Sequence, residues 1–170
     1  MSAMAYLSLG SNLGRRREQL VRAIERLGSL GKVVSTSSFY ETQPVEVTDQ
    51  PWFLNCALTL ETNHSPEQLL KKILAIERDM GRERTQNKGP RSIDLDILLF
   101  DGRIIDSPQL TIPHPAMHQR RFVLEPLAEI GPEVRHPKLK KTVKELLAAL
   151  PDNQVVRRIE AKNDNQTTAG

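Results

Sequence analysis

Two aspartates, Asp94 and Asp96, stand one residue apart in the run Ile93-Asp94-Leu95-Asp96-Ile97-Leu98-Leu99-Phe100. The run is rich in Ile and Leu and follows Gly89-Pro90, a turn signal, so it reads as a buried strand. Side chains two apart on a strand share a face. The two carboxylates are therefore neighbours, and Ile93, Leu95, Ile97 and Leu99 form an apolar row on the other face. Two bare carboxylates on a core strand are costly unless a shared proton, an arginine or a divalent cation neutralises them. Hard cations such as Mg2+ favour carboxylate oxygens and keep water and substrate phosphate as their other ligands. Arg91 stands just upstream, and a basic loop with Arg82, Arg84 and Lys88 leads into the strand. Carboxylates beside arginines describe a site for metal-chelated polyphosphate. Asp-x-Asp alone is a weak signal, and its plain alternative is a strand end with solvated acids.

The elements that must position these groups follow from period and punctuation. Ala5 to Leu9 reads as a strand and Gly10-Ser11-Asn12 as a turn, with Ser11 or Asn12 capping the next helix. That helix, Arg15 to Leu27, carries Leu20, Ile24 and Leu27 at helical spacing. Its arginines, Arg15, Arg16, Arg17 and Arg22, read as a solvated face. Lys32 to Thr42 is a strand and 43–51 a loop. Trp52 to Thr62 is a strand with Phe53, Asn55, Ala57 and Thr59 on one face. Ser65-Pro66-Glu67-Gln68 is a capping box with proline at the first helical position. The helix it opens carries Leu69, Ile73, Ile76 and Met80 in one stripe and ends at Gly81. Glu77 borders that stripe, as a half-buried structural acid or as part of the site. The segment 81–91 is long, polar and basic, the character of a functional lid.

After the aspartate strand come the turn Asp101-Gly102 and two short extended pieces, Ile104-Ile105 and Leu110-Thr111-Ile112. Pro113-His114-Pro115 then breaks the chain. Phe122 to Ile130 is a short helix despite Pro126, and Thr142-Val143-Lys144-Glu145 is a second capping box opening a helix to Leu150. Residues 161–170 lack the apolar content of a folded segment and read as a disordered tail. The order strand, helix, strand, strand, helix, strand implies one α+β domain over residues 1–160. The fold class is a ferredoxin-like sandwich, an antiparallel sheet with helices on one face and extra C-terminal elements.

Composition excludes several classes. The 170 residues suffice for one domain with a core, and 38% hydrophobic with 26% charged residues is ordinary for a globular chain. No apolar run reaches the ~20 residues that span a bilayer, and Met1-Ser2-Ala3-Met4-Ala5 does not open a signal peptide, so a cytoplasmic protein is expected. The one cysteine, Cys56, reads as a buried small hydrophobe. There is no G-x-x-x-x-G-K-[ST] loop and no G-x-S-x-G elbow, and His64, His114, His118 and His136 show no zinc spacing with Cys56. On its own, His114 in a Pro-His-Pro turn reads as structural. An RNA-binding module shares the topology, but it stacks bases on sheet aromatics, and aromatics here are 4%. A net charge of +3 permits nucleic-acid binding without arguing for it. A regulatory small-molecule-binding domain is the other alternative, though it has no need of two acids beside arginines.

The wider pattern resembles the 6-hydroxymethyl-7,8-dihydropterin pyrophosphokinases, kinases of the folate pathway. Tyr6-Leu7-Ser8-Leu9-Gly10-Ser11-Asn12-Leu13 is similar to that family's opening strand and turn, and Ser37-Ser38-Phe39-Tyr40-Glu41-Thr42 to its second strand. Gln50-Pro51-Trp52-Phe53-Leu54-Asn55 resembles the start of its third. Pro113-His114 and Arg120-Arg121-Phe122-Val123-Leu124 resemble the segment after the aspartate strand. The matches run in family order from about residue 4 to residue 135.

The resemblance implies transfer of pyrophosphate from ATP to the hydroxymethyl group of the dihydropterin, releasing AMP. Asp94 and Asp96 would bind two Mg2+ ions. Arg82 and Arg91 would act on the phosphates, Arg82 from the mobile loop and Arg91 as an anchor for ATP. Glu77, Arg84, Ile97, Thr111, His114 and Arg120 fall on the nucleotide side. Thr42, Pro44 and Val45 line the pterin pocket, Asn55 reads the ring's edge, and Phe53 with Phe122 sandwiches it. The partners implied are ATP and the pterin alone, with no nucleic acid and no membrane, and the chain is expected to be a monomer. Two positions depart from the family's best-known members. Lys88 replaces a tryptophan in a basic loop one residue shorter, and Pro115 replaces the tyrosine after Pro-His.

Overall fold

A computed structural model describes residues 2–12, 15–43, 52–81, 93–152 and 154–159. In chain order the elements are β1 (Ala3–Ser11), α1 (Arg16–Leu27), β2 (Lys32–Thr36), β3 (Phe39–Thr42), β4 (Phe53–Thr62), α2 (Pro66–Asp79) and β5 (Asp94–Phe100). A small hairpin of β6 (Ile105–Asp106) and β7 (Thr111–Ile112) follows, and then α3 (Arg121–Ile130). A second hairpin of β8 (Arg135–His136) and β9 (Lys141–Thr142) leads to α4 (Val143–Ala148) and β10 (Val156–Ile159). The main sheet runs β10-β3-β4-β1-β5 with β2 also on β4, every pairing antiparallel. This is the expected ferredoxin-like order. β4 lies between β3 and β1, and the α1 and α2 crossovers both cover one face of the sheet.

Strand alternation sorts the side chains into two cores. Ala5, Leu7 and Leu9 of β1 join Leu54, Cys56, Leu58 and Leu60 of β4 beneath α1 and α2, which bring Leu20, Ala23, Leu27, Leu69, Ile73 and Ile76. The other face is covered as well. Val123, Leu124 and Leu127 of α3 and Val143 and Leu146 of α4 pack on Ala57, Leu98 and Leu99. The C-terminal elements thus add a third layer, where the sequence pattern placed helices on one face only. Cys56 is 1% exposed and burial pushes its thiol pKa up to about 12, as befits an inert core residue.

Local signals worked where the cause is local. Ser65 and Gln68 form the expected capping box at α2, and Thr142 and Glu145 the one at α4. The expected cap of α1 is not made, because Ser11 continues β1 and Arg15 takes the cap position with no side-chain bond. The strand expected over Lys32 to Thr42 is two strands. Between them the Ser37 N–H donates to the Ala57 carbonyl and the Ser37 hydroxyl accepts the Ala57 N–H, both at 2.9 Å. The ladder passes through a side chain there, and the backbone turns. The final strand β10, which no motif in the sequence marks, runs antiparallel to β3 from Thr42↔Val156 to Phe39↔Ile159.

β5 contains a bulge. Ile97 pairs with Leu7 and Leu99 with Tyr6, which leaves Leu98 as the extra residue. The side-chain alternation slips by one at that point. Leu95 and Ile97 belong to the core under α1 and α2, whereas Leu98 and Leu99 both join the core under α3. The expected apolar row therefore ends at Ile97. Leu99 turns to the opposite face, because an inserted residue reverses the side of everything beyond it.

Candidate active site

The acids stand at the N-terminal end of β5, one face of which is free of the α1–α2 core. Asp94 pairs with Gly10 and Asp96 with Ser8, so both carboxylates project from the face that Gly10 and Ser8 share. Both are partly exposed. Glu77 of α2 is 2% exposed, and its Oε2 accepts the N–H of Leu95, between the two acids, at 2.7 Å. One carboxylate from the helix thus fixes the backbone from which the other two project. Ile97 is buried in the core, so what it can offer a nucleotide is its main chain.

The same face continues across β1 to β4. Gly10 pairs with Asn55, and Asn55 in turn with Tyr40 of β3. Asn55 and Asp94 therefore lie in one row, two strand spacings or about 10 Å apart. Asn55 is 4% exposed, and its Oδ1 has no hydrogen-bond partner among the described residues. The Oγ1 of Thr42, a residue 2% exposed, is in the same condition. Thr42 pairs with Phe53, so Thr42, Phe53 and Asn55 line one face. Buried acceptors without partners are rare in folded proteins, and two side by side mark a surface shaped for a polar ligand. Phe53 is partly exposed rather than part of either core.

A third group arrives from the segment between β7 and α3. The His114 N–H donates to the carbonyl of Leu98, the bulge residue, at 2.9 Å. Its Nδ1 accepts the Ala116 N–H at 3.2 Å, which puts the neutral ring's proton on Nε2. Burial lowers the His114 pKa, Arg120 lowers it further, and Asp94 opposes them, so the three side chains share one electrostatic neighbourhood. Arg120 occupies the N-cap position of α3, and its guanidinium lies 5.6 Å from the centre of the Phe122 ring. Phe122 is partly buried at the edge of the α3 core. Thr111 is exposed on β7. Asp94, Asp96, Asn55, Thr42, Phe53, His114, Arg120 and Phe122 thus gather around one end of the sheet. Arg82, Arg84, Arg91, Pro44, Val45 and Lys88 lie outside the described residues.

The acidic pair fits a hard divalent cation. It offers two oxygen donors on adjacent same-face positions, open to solvent, and among the described residues no third His, Cys, Asp or Glu completes an all-protein cage. Mg2+ suits such a partial site because it takes its remaining ligands from water and phosphate.

The model of 7,8-dihydro-6-hydroxymethylpterin-pyrophosphokinase matches residues 6–132. The chain belongs to that family. The matched span runs from β1 to just past α3 and holds every group described above, while β8, β9, α4 and β10 lie beyond it. The 2-amino-4-hydroxy-6-hydroxymethyldihydropteridine pyrophosphokinase of Bacillus subtilis is 43% identical over 159 residues, 92% of this chain and 90% of that protein. The folic acid synthesis protein fol1 of Schizosaccharomyces pombe is 41% identical over 165 residues, 96% of this chain but 22% of that protein. The chain therefore spans nearly the whole of one pyrophosphokinase and about a fifth of a longer relative. Among solved structures, Plasmodium falciparum HPPK-DHPS with pterin and p-hydroxybenzoate superposes with a TM-score of 0.70. It is 19% identical, with 87% of this chain and 42% of that one covered, and the likeness concerns the fold.

Four features in and around the candidate site were not anticipated. The first is Gly10, whose missing side chain makes room for Asn55. A β-carbon there would lie 2.7 Å from Asn55 Nδ2. The second is Glu129 of α3, which accepts the Ser38 N–H and hydroxyl and the Tyr40 hydroxyl, the last at 2.7 Å. This contact ties the helix that carries Phe122 to the strand beside Asn55. The third is Ser11, completely buried with its Oγ unpartnered among the described residues. The fourth is Arg16, expected in solvent but only 14% exposed, bonded to the Trp52 carbonyl at 2.6 Å and to Glu41 at 3.2 Å. No short-range pattern marks Gly10, Glu129 or Arg16, because each acts through a partner distant in sequence.

Proposed function

We infer that the chain transfers diphosphate from ATP to the hydroxymethyl group of 6-hydroxymethyl-7,8-dihydropterin and releases AMP. One observation carries the reading. Asn55, with its buried and unpaired Oδ1, and Asp94, with Asp96 beside it, occupy one row across a single sheet face with Gly10 between them. The amide edge of a pterin and its hydroxymethyl group lie at opposite ends of the bicycle. An amide that reads one end, two strand spacings from an acidic pair, presents the other end to the polyphosphate.

The hydroxyl oxygen attacks the β-phosphorus, the bond from that phosphorus to the α–β bridging oxygen breaks, AMP leaves, and the hydroxyl proton is released. Asp94 and Asp96 would hold two Mg2+ ions, which when bound neutralise the triphosphate and make the hydroxyl more acidic. Asn55 offers both a donor and an acceptor to the ring edge, and Phe53 and Phe122 are suited to cover its two faces. Thr42 faces the same pocket, which Pro44 and Val45 would complete. His114, through Nε2–H, and Arg120 would face the nucleotide, with Thr111, Arg84 and the Ile97 main chain. Glu77 keeps the aspartate strand in place from behind. Arg82 and Arg91 would contact the phosphates, where guanidinium groups stabilise charge that grows in the transition state.

Incubation with ATP, Mg2+ and the hydroxymethyl dihydropterin, followed by nucleotide chromatography, tests the reading. AMP should rise together with the pterin diphosphate. ADP as the main product would overturn it.

A further inference from the structure

Two arginines from opposite ends of the chain converge on the same two residues behind the site. Arg16, at the start of α1, donates to the Trp52 carbonyl at 2.6 Å and to Glu41 Oε2 at 3.2 Å. Arg157, in β10, donates to Glu41 Oε1 at 2.8 Å and lies 5.4 Å from the centre of the Trp52 ring. Glu41 thus accepts a different guanidinium on each carboxylate oxygen. Burial opposes its ionisation, but the bonds to Arg157 and Arg16 outweigh it and hold its carboxyl below the usual range. The Arg16–Glu41 pair is largely buried, with side chains 14% and 13% exposed, whereas Arg157 is 65% exposed.

Glu41 and Trp52 flank the last rung of the β3–β4 ladder, Thr42↔Phe53. Alternation sends Glu41 to the α1 side of the sheet, while Thr42 and Phe53 face the candidate pocket. Strand ends fray unless something ties them. Here a side chain from α1 and one from β10 each join residue 41 to residue 52, so the rung is held from behind by two independent links.

We propose that Arg16 and Arg157 are positioning residues for the pterin: through Glu41 and Trp52 they hold the Thr42–Phe53 rung in the spacing that the ring requires. This rests on the functional reading above. It assigns β10, which lies outside the matched family span, a part in substrate recognition although it contributes no group to the pocket.

Arg157→Ala is the clean test, because Arg157 is exposed and removed from the reacting groups. The Michaelis constant for the dihydropterin should rise roughly threefold or more, while that for ATP and kcat stay within about twofold, the signature of lost ground-state binding at one substrate. Arg157→Lys should recover part of the loss. Glu41→Gln, which weakens both links, should exceed Arg157→Ala. Trp52 is the only tryptophan, so its emission reports the same locus in each variant. Ionic strength gives a second readout. The dihydropterin is uncharged near neutral pH, so salt should raise its Michaelis constant in the wild type by screening the pair, and do so less in Arg157→Ala. A merely structural role would lower the melting temperature and the active fraction and leave the pterin constant unchanged, which overturns the proposal. Equal rises for both substrates also overturn it. A wild-type chain that forms no AMP sinks the functional reading and the proposal together. Wild-type turnover beside an unaltered pterin constant in the variants sinks the proposal alone.

Discussion

The amide of Asn55 occupies the space above Gly10 that a side chain would fill, with Nδ2 2.7 Å from the position of a β-carbon there. Real β-carbons do not approach a heavy atom so closely. The two residues are cross-strand partners, and the glycine between Asn55 and Asp94 leaves the row open. A flat ligand lying across β1 needs such a gap, because β1 crosses beneath the middle of the row.

Gly10→Ala should therefore displace the Asn55 amide. Overpacking of this kind costs about 1–3 kcal/mol of stability, and because the clashing atom is the far end of the Asn55 side chain the cost falls toward the lower end. The larger effect falls on the ligand, with pterin affinity reduced about tenfold or more, the scale of a misaligned polar pair in a buried site. Calorimetric titration of the pterin with a non-hydrolysable ATP analogue bound measures it. An alanine variant with normal pterin affinity would show that Asn55 has no fixed position to lose.

Asp96→Ala should reduce turnover by more than ~100-fold, in line with removal of a group that organises transition-state charge. Its effect on the unliganded fold runs the other way. Two neighbouring carboxylates repel, so the melting temperature without Mg2+ and nucleotide should hold or rise. Added Mg2+ should raise the melting temperature of the wild type with ATP present and do little for the variant. Near-normal turnover in Asp96→Ala removes the metal role.

Phe53 and Phe122 are half-buried, and this sets what their loss damages. A phenylalanine cut out of a sealed core costs about 3–5 kcal/mol of stability. A phenylalanine at the rim of a pocket costs far less, and instead weakens ring binding by about 1 kcal/mol or more. Phe53→Ala should follow the second pattern in paired denaturation and titration experiments. A collapse in stability with unchanged pterin affinity would return Phe53 to the core.

His136 sets an acid limit on the fold. It is 4% exposed, and its Nδ1 accepts the Leu139 N–H at 3.1 Å, a bond available only to the neutral ring. Burial lowers its pKa first, and His118, 6.1 Å away between ring centres, and Lys138 lower it further. The folded chain thus binds this proton less readily than the unfolded chain, whose histidines titrate near ~6.5. Stability from this site is complete above that value and is lost as pH falls from there toward the depressed folded value. A melting curve from pH 8 to pH 5 should decline below about 6.5 in the wild type and decline less in His136→Asn. Parallel curves would assign the acid sensitivity elsewhere.

How far the sequence carried depends on the range of each cause. Capping at Ser65–Gln68 and Thr142–Glu145 lies within four residues and was legible. So was the shared face of Asp94 and Asp96, and that of Phe53 and Asn55, because period two needs no partner. The cap expected from Ser11 failed because β4 extends β1 through that residue, a pairing set more than forty positions away. Arg16 looked solvated because Glu41 and Trp52 are neighbours only after folding. β10 is four residues long and takes its order from the edge of β3. The bulge at Leu98 could not be read at all, since a run of apolar residues has no phase to break.

That bulge gives the strand two reading frames. Ahead of Leu98 the odd-numbered residues anchor the strand and the even-numbered ones do chemistry. Beyond it Leu99 points where Asp96 points, and both halves of the chain find the surroundings that suit them. Deleting Leu98 would close the bulge and leave the acids, Ile97 and Leu99 on the faces they now occupy, so its cost falls on the α3 core, which loses the Leu98 side chain, and on the His114 N–H, which loses its acceptor. The extra residue therefore lets one strand give two successive side chains to the same layer, which an unbroken alternation cannot do.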